Sequence, residues 1–259
     1  MDLRRITQSL LLRTGNGVKV AVLDSGIHPE LPLLKSRNNK VFGCELTPKG
    51  LEVTELPAGE VSDRNGHGSC VQSCIVSVAP EVEIHHYRIL DKFNNCPSAL
   101  LCYVLDHALE KDYQVINLSL GTRNEEHVPW LVSSMKRAYE QNISIVAASS
   151  NVGNVLYPGR FTYAISCEAI LATNPMHIRF RKNSVVEFAA WGIQVPIPGV
   201  NGLPFQVTGS SFAAAHITGL VARIIELMGT SSPLDAKVLL REYAKNIEES
   251  GSRTALFSA

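Results

Sequence analysis

The sequence predicts an α/β protein, with a mainly parallel central sheet covered by helices on both faces. Three observations lead there. Short β-branched runs such as VKVAVLD at 18–24 recur through the first 150 residues, as strands buried on both faces require. Helical patterns stand between them, and strand alternating with helix is the signature of a parallel sheet. Of 259 residues, 45% are hydrophobic, which is enough for one large core.

The elements follow in order. The run at 18–24 ends in Asp-Ser-Gly, a strand followed by a turn. Residues 31–65 are rich in Pro, Gly, Asn and charge, with one strand expected near Val41–Leu46. HGSCVQSCIVSV at 67–78 reads as a helix that follows the Gly66 turn. A strand at Val82–Leu90 and a helix at Pro97–Lys111 come next. A strand at Gln114–Leu118, an amphipathic helix at His127–Gln141 and a strand at Ile143–Ala148 follow. Residues 160–208 break into shorter strand-like pieces, and two helices close the chain near 211–228 and 232–247. Without a repeat or a low-complexity linker, 1–259 is expected to be a single domain whose tail, 248–259, is loosely held.

Composition excludes several classes. With 24 basic and 24 acidic residues, nothing favours nucleic acid or an anionic membrane as a partner. The start, MDLRRITQSLLLRTGNG, lacks the apolar stretch of a secretory signal. No segment is expected to reach the roughly 20 apolar residues of a membrane span. Six cysteines in a chain of this length do not form a dense disulfide framework, so they read as reduced thiols and the expected location is cytoplasmic. Cys70, Cys74, His85 and His86 have no recognised zinc-ligand spacing, and no metal or cofactor is expected.

The chemistry centres on four short segments. Ser210 and Ser211 open an unusually apolar helix in GSSFAAAH. A serine there is usually an N-cap. A nucleophile there would gain the free N–H groups and positive dipole end of the first turn. It would still need a base. His216 is five residues after Ser211 and so points elsewhere on the helix, as a packed structural histidine. His85 and His86 fall on opposite faces of a strand. His67, in DRNGHGS, has glycines on both sides that permit close backbone approach and an abrupt helix start. In a first helical turn it is expected to favour its neutral form, as a general base must. Asp24, at the carboxyl end of a strand, can fix the imidazole tautomer or simply cap a turn. Asn151, in SIVAASSNVGN, can make a turn or donate its amide to an oxyanion.

Together these segments resemble the subtilisin-like serine proteases, the subtilases. The likeness runs from about Val18 to about Val221. AVLDSGIHPEL resembles the family's Asp segment and NGHGS its His segment. VINLSLG resembles the cleft-lining segment, IVAASSN the oxyanion segment and GSSFAAAH the nucleophile segment. The resemblance implies a three-layer α/β/α sandwich, Ser211 as nucleophile, His67 as base, Asp24 as its orienting partner and Asn151 as oxyanion donor. It implies an extended peptide substrate pairing with Ser119, Leu120 and Gly121, and across from them with Asn94–Cys96. The first specificity pocket would be lined by Leu120, Gly121, Ala148, Ser149, Ser150 and Leu156, small or shallow and mainly apolar.

There are departures from the family pattern. Ala215 stands where proline is usual, Gln72 where a small residue is usual, and the segment that often carries a calcium loop is short, so that site is not expected. No propeptide is expected ahead of Asp24. The implied activity is a serine endopeptidase, with a dedicated intracellular leader-peptide protease as the expected form. A general intracellular subtilisin and an inactive peptide-binding module on the same scaffold are the alternatives. Cys70, three residues after His67, carries a further expectation of thiol-sensitive activity.

Overall fold

The computed structural model describes residues 8–35, 37, 39–150, 156–201, 203–230 and 232–256, the last without the side chains of 248–256. Its frame is a nine-stranded sheet built from β1 (Lys19–Asp24), β2 (Lys40–Thr47), β3 (Gly50–Glu55), β4 (Glu83–Arg88), β5 (Val115–Leu118), β6 (Ser144–Ala148), β7 (Ile165–Leu171), β8 (Ile178–Phe180) and β9 (Phe188–Ile193). Their spatial order is β3-β2-β4-β1-β5-β6-β7-β9-β8. All pairings are parallel except the two at the edges, β2 with β3 and β8 with β9. A separate antiparallel pair joins β10 (Val195–Pro198) to β11 (Pro204–Val207).

The strands are apolar throughout because each serves two cores. In β1, Val20 and Val22 enter the core beneath α1 (His67–Val78) and α4 (Ser210–Met228). Ala21 and Leu23 enter the other, beneath α2 (Ser98–Leu109) and α3 (Val128–Glu140). Helices on both faces make the three layers expected. α5 (Pro233–Leu256) packs on β8 and α4, and its helical backbone runs past residue 247, where the sequence pattern fades.

Two expectations need amendment. β3 is an antiparallel edge hairpin with β2, in a region read as mostly irregular. α4 is 19 residues long and, by length and composition alone, apolar enough to cross a membrane. It passes that test because Ala, Ile, Leu and Val fill it. In the fold, 83% of its most apolar window is buried between the sheet and its neighbours, as for a core helix.

Parallel strands all end on the same edge. Asp24 closes β1, Ser119 follows β5 and Ser149 follows β6, so the topology brings three separate segments to one rim. The amino ends of α1 and α4 supply His67 and Ser211. The α1–β4 connection occupies only residues 79–82.

Candidate active site

Asp24 is fully buried, and its Oδ1 accepts hydrogen bonds from the Ser25 N–H and from His67 Nδ1, each at 2.8 Å. A carboxylate only accepts, so the proton sits on Nδ1 and Nε2 is left as an acceptor. Two glycines make this approach possible. Gly66 ahead of α1 takes the left-handed conformation, φ 92°. A Cβ on Gly68 would lie 2.2 Å from the Gly26 carbonyl oxygen and 3.2 Å from Asp24 Oδ1, so only glycine fits there.

Burial alone would depress the His67 pKa. The charge and hydrogen bond of Asp24, with a smaller contribution from Asp63, outweigh burial and hold it above the ordinary imidazole value. This differs from the neutral bias expected from the helix start. A carboxylate in contact outweighs a dipole end.

Neither serine of the opening pair is a side-chain cap. The N-cap of α4 is Gly209, and both serines lie inside the helix. Ser210 Oγ donates to the Ser149 carbonyl at 2.7 Å. Ser211 Oγ donates to the Ser119 carbonyl at 3.0 Å, and no hydrogen bond to the imidazole occurs among the described residues. Ser119 Oγ donates to Asn117 Oδ1 at 2.8 Å and stands 3.2 Å from the Ser211 carbonyl. Asn117 in turn donates to Thr218 Oγ1 at 2.8 Å, which ties β5 to α4.

His67 and Ser211 nevertheless face the same cleft, a depression of about 350 Å³ that Ser119, Leu120, Gly121 and Asn94 also line. A larger depression of about 650 Å³ lies at the opposite, amino-terminal edge of the sheet, around Val18, Gln114 and Ile143, away from these groups.

The other sequence candidates separate. Leu156 stands against Gly121, where a Cβ would come within 2.7 Å of the Leu156 Cβ. Ala148 and Ser149 are buried, and neither they nor the half-buried Ser150 lines the cleft. Asn151 lies outside the described residues. His216 is a structural histidine as expected. It is buried, bonds the Trp191 carbonyl at 2.7 Å, stacks on that indole, and burial pushes its pKa down to about 4. His86 Nε2 pairs with Gln72 Oε1 at 2.6 Å, which gives the unusual glutamine a buried partner. His85 points the other way, toward Tyr113. Cys70 is 6% exposed and its thiol is pushed up to about 12, by burial first and then by the charges of Asp63 and Asp24. That disfavours the thiolate that thiol-sensitive activity would need. Among the described residues, no three His, Cys, Asp or Glu side chains gather to hold a metal ion.

Sequence reasoning passed over Asp63, in the same DRNGHGS segment. Its Oδ1 accepts from Ser25 Oγ at 2.6 Å, Gly66 N–H at 2.8 Å and Asn65 N–H at 3.2 Å. Its Oδ2 accepts from the Ser69 N–H at 2.8 Å and hydroxyl at 2.5 Å. Burial opposes its charge, but the Ser25, Ser69 and Gly66 donors prevail and set its pKa below the ordinary carboxylate value. An acid four residues before the histidine was the available signal.

A parallel sheet with an aspartate on a strand end, and a histidine and a serine on helix starts facing one cleft, defines the subtilisin-like class of α/β proteins. Residues 15–256 match the model of the subtilase family, and the chain belongs to that family, one of serine proteases that hydrolyse peptide bonds. It is 28% identical over 252 residues to the minor extracellular protease Epr of Bacillus subtilis, across 92% of this chain and 36% of that protein. It is 29% identical over 242 residues to an intracellular serine protease of Paenibacillus polymyxa, across 85% of this chain and 70% of that one. Subtilisin Savinase of Lederbergia lenta is 29% identical over 268 residues, across 95% and 88%. The solved structure of a cold-adapted subtilisin-like serine proteinase superposes with a TM-score of 0.70 at 22% identity, covering 88% of this chain and 82% of that one.

Proposed function

We propose that residues 1–259 act as one catalytic domain, a serine endopeptidase that works through an acyl-enzyme. The observation that carries the reading is the 2.8 Å hydrogen bond from His67 Nδ1 to Asp24, on a cleft shared with Ser211. Ser211 Oγ leaves the Ser119 carbonyl and turns to His67 Nε2. It attacks the scissile carbonyl carbon as Nε2 takes its proton, and the C–O bond forms. His67 then gives that proton to the leaving amine as the C–N bond breaks. Water repeats the sequence on the ester and restores the Ser211 hydroxyl. Asp24 orients the imidazole and stabilises its cation. The Ser211 N–H and the Asn151 side chain receive the oxyanion. Losing such a donor costs roughly 3–4 kcal/mol in subtilisin, the family member that supplies this figure.

The substrate is an extended peptide added to the edge Ser119–Leu120–Gly121, with Asn94–Cys96 across from it. A substrate N–H takes the Ser119 carbonyl that holds the resting hydroxyl. Ala148, Ser149, Ser150 and Leu156 are assigned to a small, apolar first pocket beyond the lining of the cleft that holds His67 and Ser211, and the contact of Leu156 with Gly121 supports a shallow one. No nucleic acid or membrane takes part, and the reaction needs no cofactor. A cytoplasmic setting agrees with relatives named as intracellular serine proteases. Within it, the enzyme removes a leader from a partner peptide.

Labelling with a fluorophosphonate, followed by mapping of the modified residue, tests the reading. Modification of Ser211 and loss of both labelling and peptidase turnover in Ser211→Ala are expected. Undiminished cleavage by that variant would end the assignment. Cleavage of casein as fast as of a cognate peptide would replace the processing role with general proteolysis.

A further inference from the structure

Asp24 and His67 come from segments 43 residues apart, and neither holds the other's backbone in place. Asp63 stands between those segments. Ser25, next to Asp24, donates its hydroxyl to Asp63 at 2.6 Å and accepts the Gly68 N–H at 2.9 Å. Gly66 and Ser69, on either side of His67 and Gly68, donate to the same carboxylate. An isolated antiparallel bridge pairs Gly26 with Asp63, and the Arg64 N–H donates to the Ser25 carbonyl at 3.1 Å. One side chain thus grips both the turn after Asp24 and the first turn of α1.

We propose that Asp63 is a positioning residue for the Asp24–His67 pair, fastening the two segments together and adding its charge to that of Asp24 at the imidazole. The inference rests on reading His67 as the base. Five donor contacts on one half-buried carboxylate exceed what a surface turn requires. Charge-assisted bonds are also the stronger kind. The ionisable groups facing this corner are Asp24 on β1, His67 and Cys70 on α1 and His86 on β4. The nearby cations are engaged elsewhere: Arg64 bonds the Leu90 carbonyl at 3.4 Å and Arg88 bonds Ser62 Oγ at 3.1 Å.

The substitution Asp63→Asn tests this. It keeps the size, removes the charge and turns an amide N–H₂ toward donors. The expected result is a fall in kcat of roughly 10- to 100-fold, the scale on which small misplacements of a catalytic group act. KM should change by less than about twofold, because Asp63 does not line the cleft. The acid limb of kcat/KM should move to lower pH, since a raising charge is gone from His67. Ser25→Ala separates the two actions: kcat falls while the acid limb stays.

Wild-type kcat in either variant, or a kcat loss in Asp63→Asn with the limb unmoved, overturns the inference. If Asp63→Asn does not fold, the kcat of Ser25→Ala decides. Absence of Ser211-dependent turnover in the unaltered protein overturns the functional reading and this inference together. Failure of the variants alone leaves the functional reading standing.

Discussion

The mouth of the cleft and the core behind it each hold one histidine of the same local chemistry and opposite acidity. His67 begins α1 with one face on the cleft, and His216 lies inside α4 against Trp191. Each bonds one oxygen through Nδ1, at 2.8 Å to Asp24 and 2.7 Å to the Trp191 carbonyl. Their acidities move in opposite directions. His67 is held above the ordinary value despite burial, and burial takes His216 down to about 4. A carbonyl is a dipole and does not offset desolvation. A carboxylate is a charge and does. One ring can therefore accept a proton during turnover while the other stays neutral as packing.

Substitutions should separate the two rings most strongly. His67→Ala should lower kcat by roughly 10⁶-fold, with the smaller cost in thermal stability. That magnitude is the one known for the matching residue of subtilisin, a family member. His216→Ala should do the reverse. It removes a buried ring and strands the Trp191 carbonyl, at a cost of about 2–4 kcal/mol of stability. Activity per folded molecule should persist, and chemical denaturation beside active-site titration reads both. Equal effects on activity would erase the distinction.

A smaller effect should appear in stability against pH. His216 and His86 both sit at about 4 in the fold, below an unfolded value of about 6.5. The unfolded chain therefore binds more protons between those values. The stability they contribute is full above pH ~6.5 and declines as pH falls toward about 4, by roughly 3 kcal/mol for each ring. His67 acts with opposite sign. Its contribution is full below the unfolded value and is lost as pH rises through its raised folded value. Denaturation midpoints measured across this range should fall toward acid, and His216→Phe should flatten part of that slope.

The smallest effect concerns the nucleophile's own corner. Ser119→Ala removes a hydroxyl shared between Asn117 and the Ser211 carbonyl. Since a neutral hydrogen bond contributes about 1 kcal/mol net, kcat should drop by no more than roughly tenfold. A loss near that of His67→Ala would mean that Ser119 itself takes part in the chemistry.

The sequence made Asp24, His67 and Ser211 legible because each carries a local signature: a strand end, a histidine between glycines, and serines opening an apolar helix. Alternation of strand and helix gave the parallel sheet, since it is a property of neighbouring residues. The strand order sets β1 between β4 and β5, with β2, β3 and α1 intervening in sequence before β4, and no local pattern encodes that. β3 was missed because an edge hairpin is only half buried and mixes charge into its pattern. Asp63, Ser25 and Ser69 were missed for a related reason. Each alone is an ordinary turn residue, and their significance lies in partners up to 43 residues away in sequence. The tilt of the His67 acidity was misjudged because the helix start was given weight as a dipole, while Asp24, expected as the orienting partner, also raises the proton affinity of the ring by its charge.

The rate at which a fluorophosphonate acylates Ser211, followed from pH 4 to pH 9, tests most directly whether His67 and Ser211 work as one unit. The expected result is a rate that rises with pH through a single ionisation above the ordinary histidine value, a rise that His67→Ala abolishes along with most of the rate. A rate independent of pH, or an identical profile in His67→Ala, would contradict it.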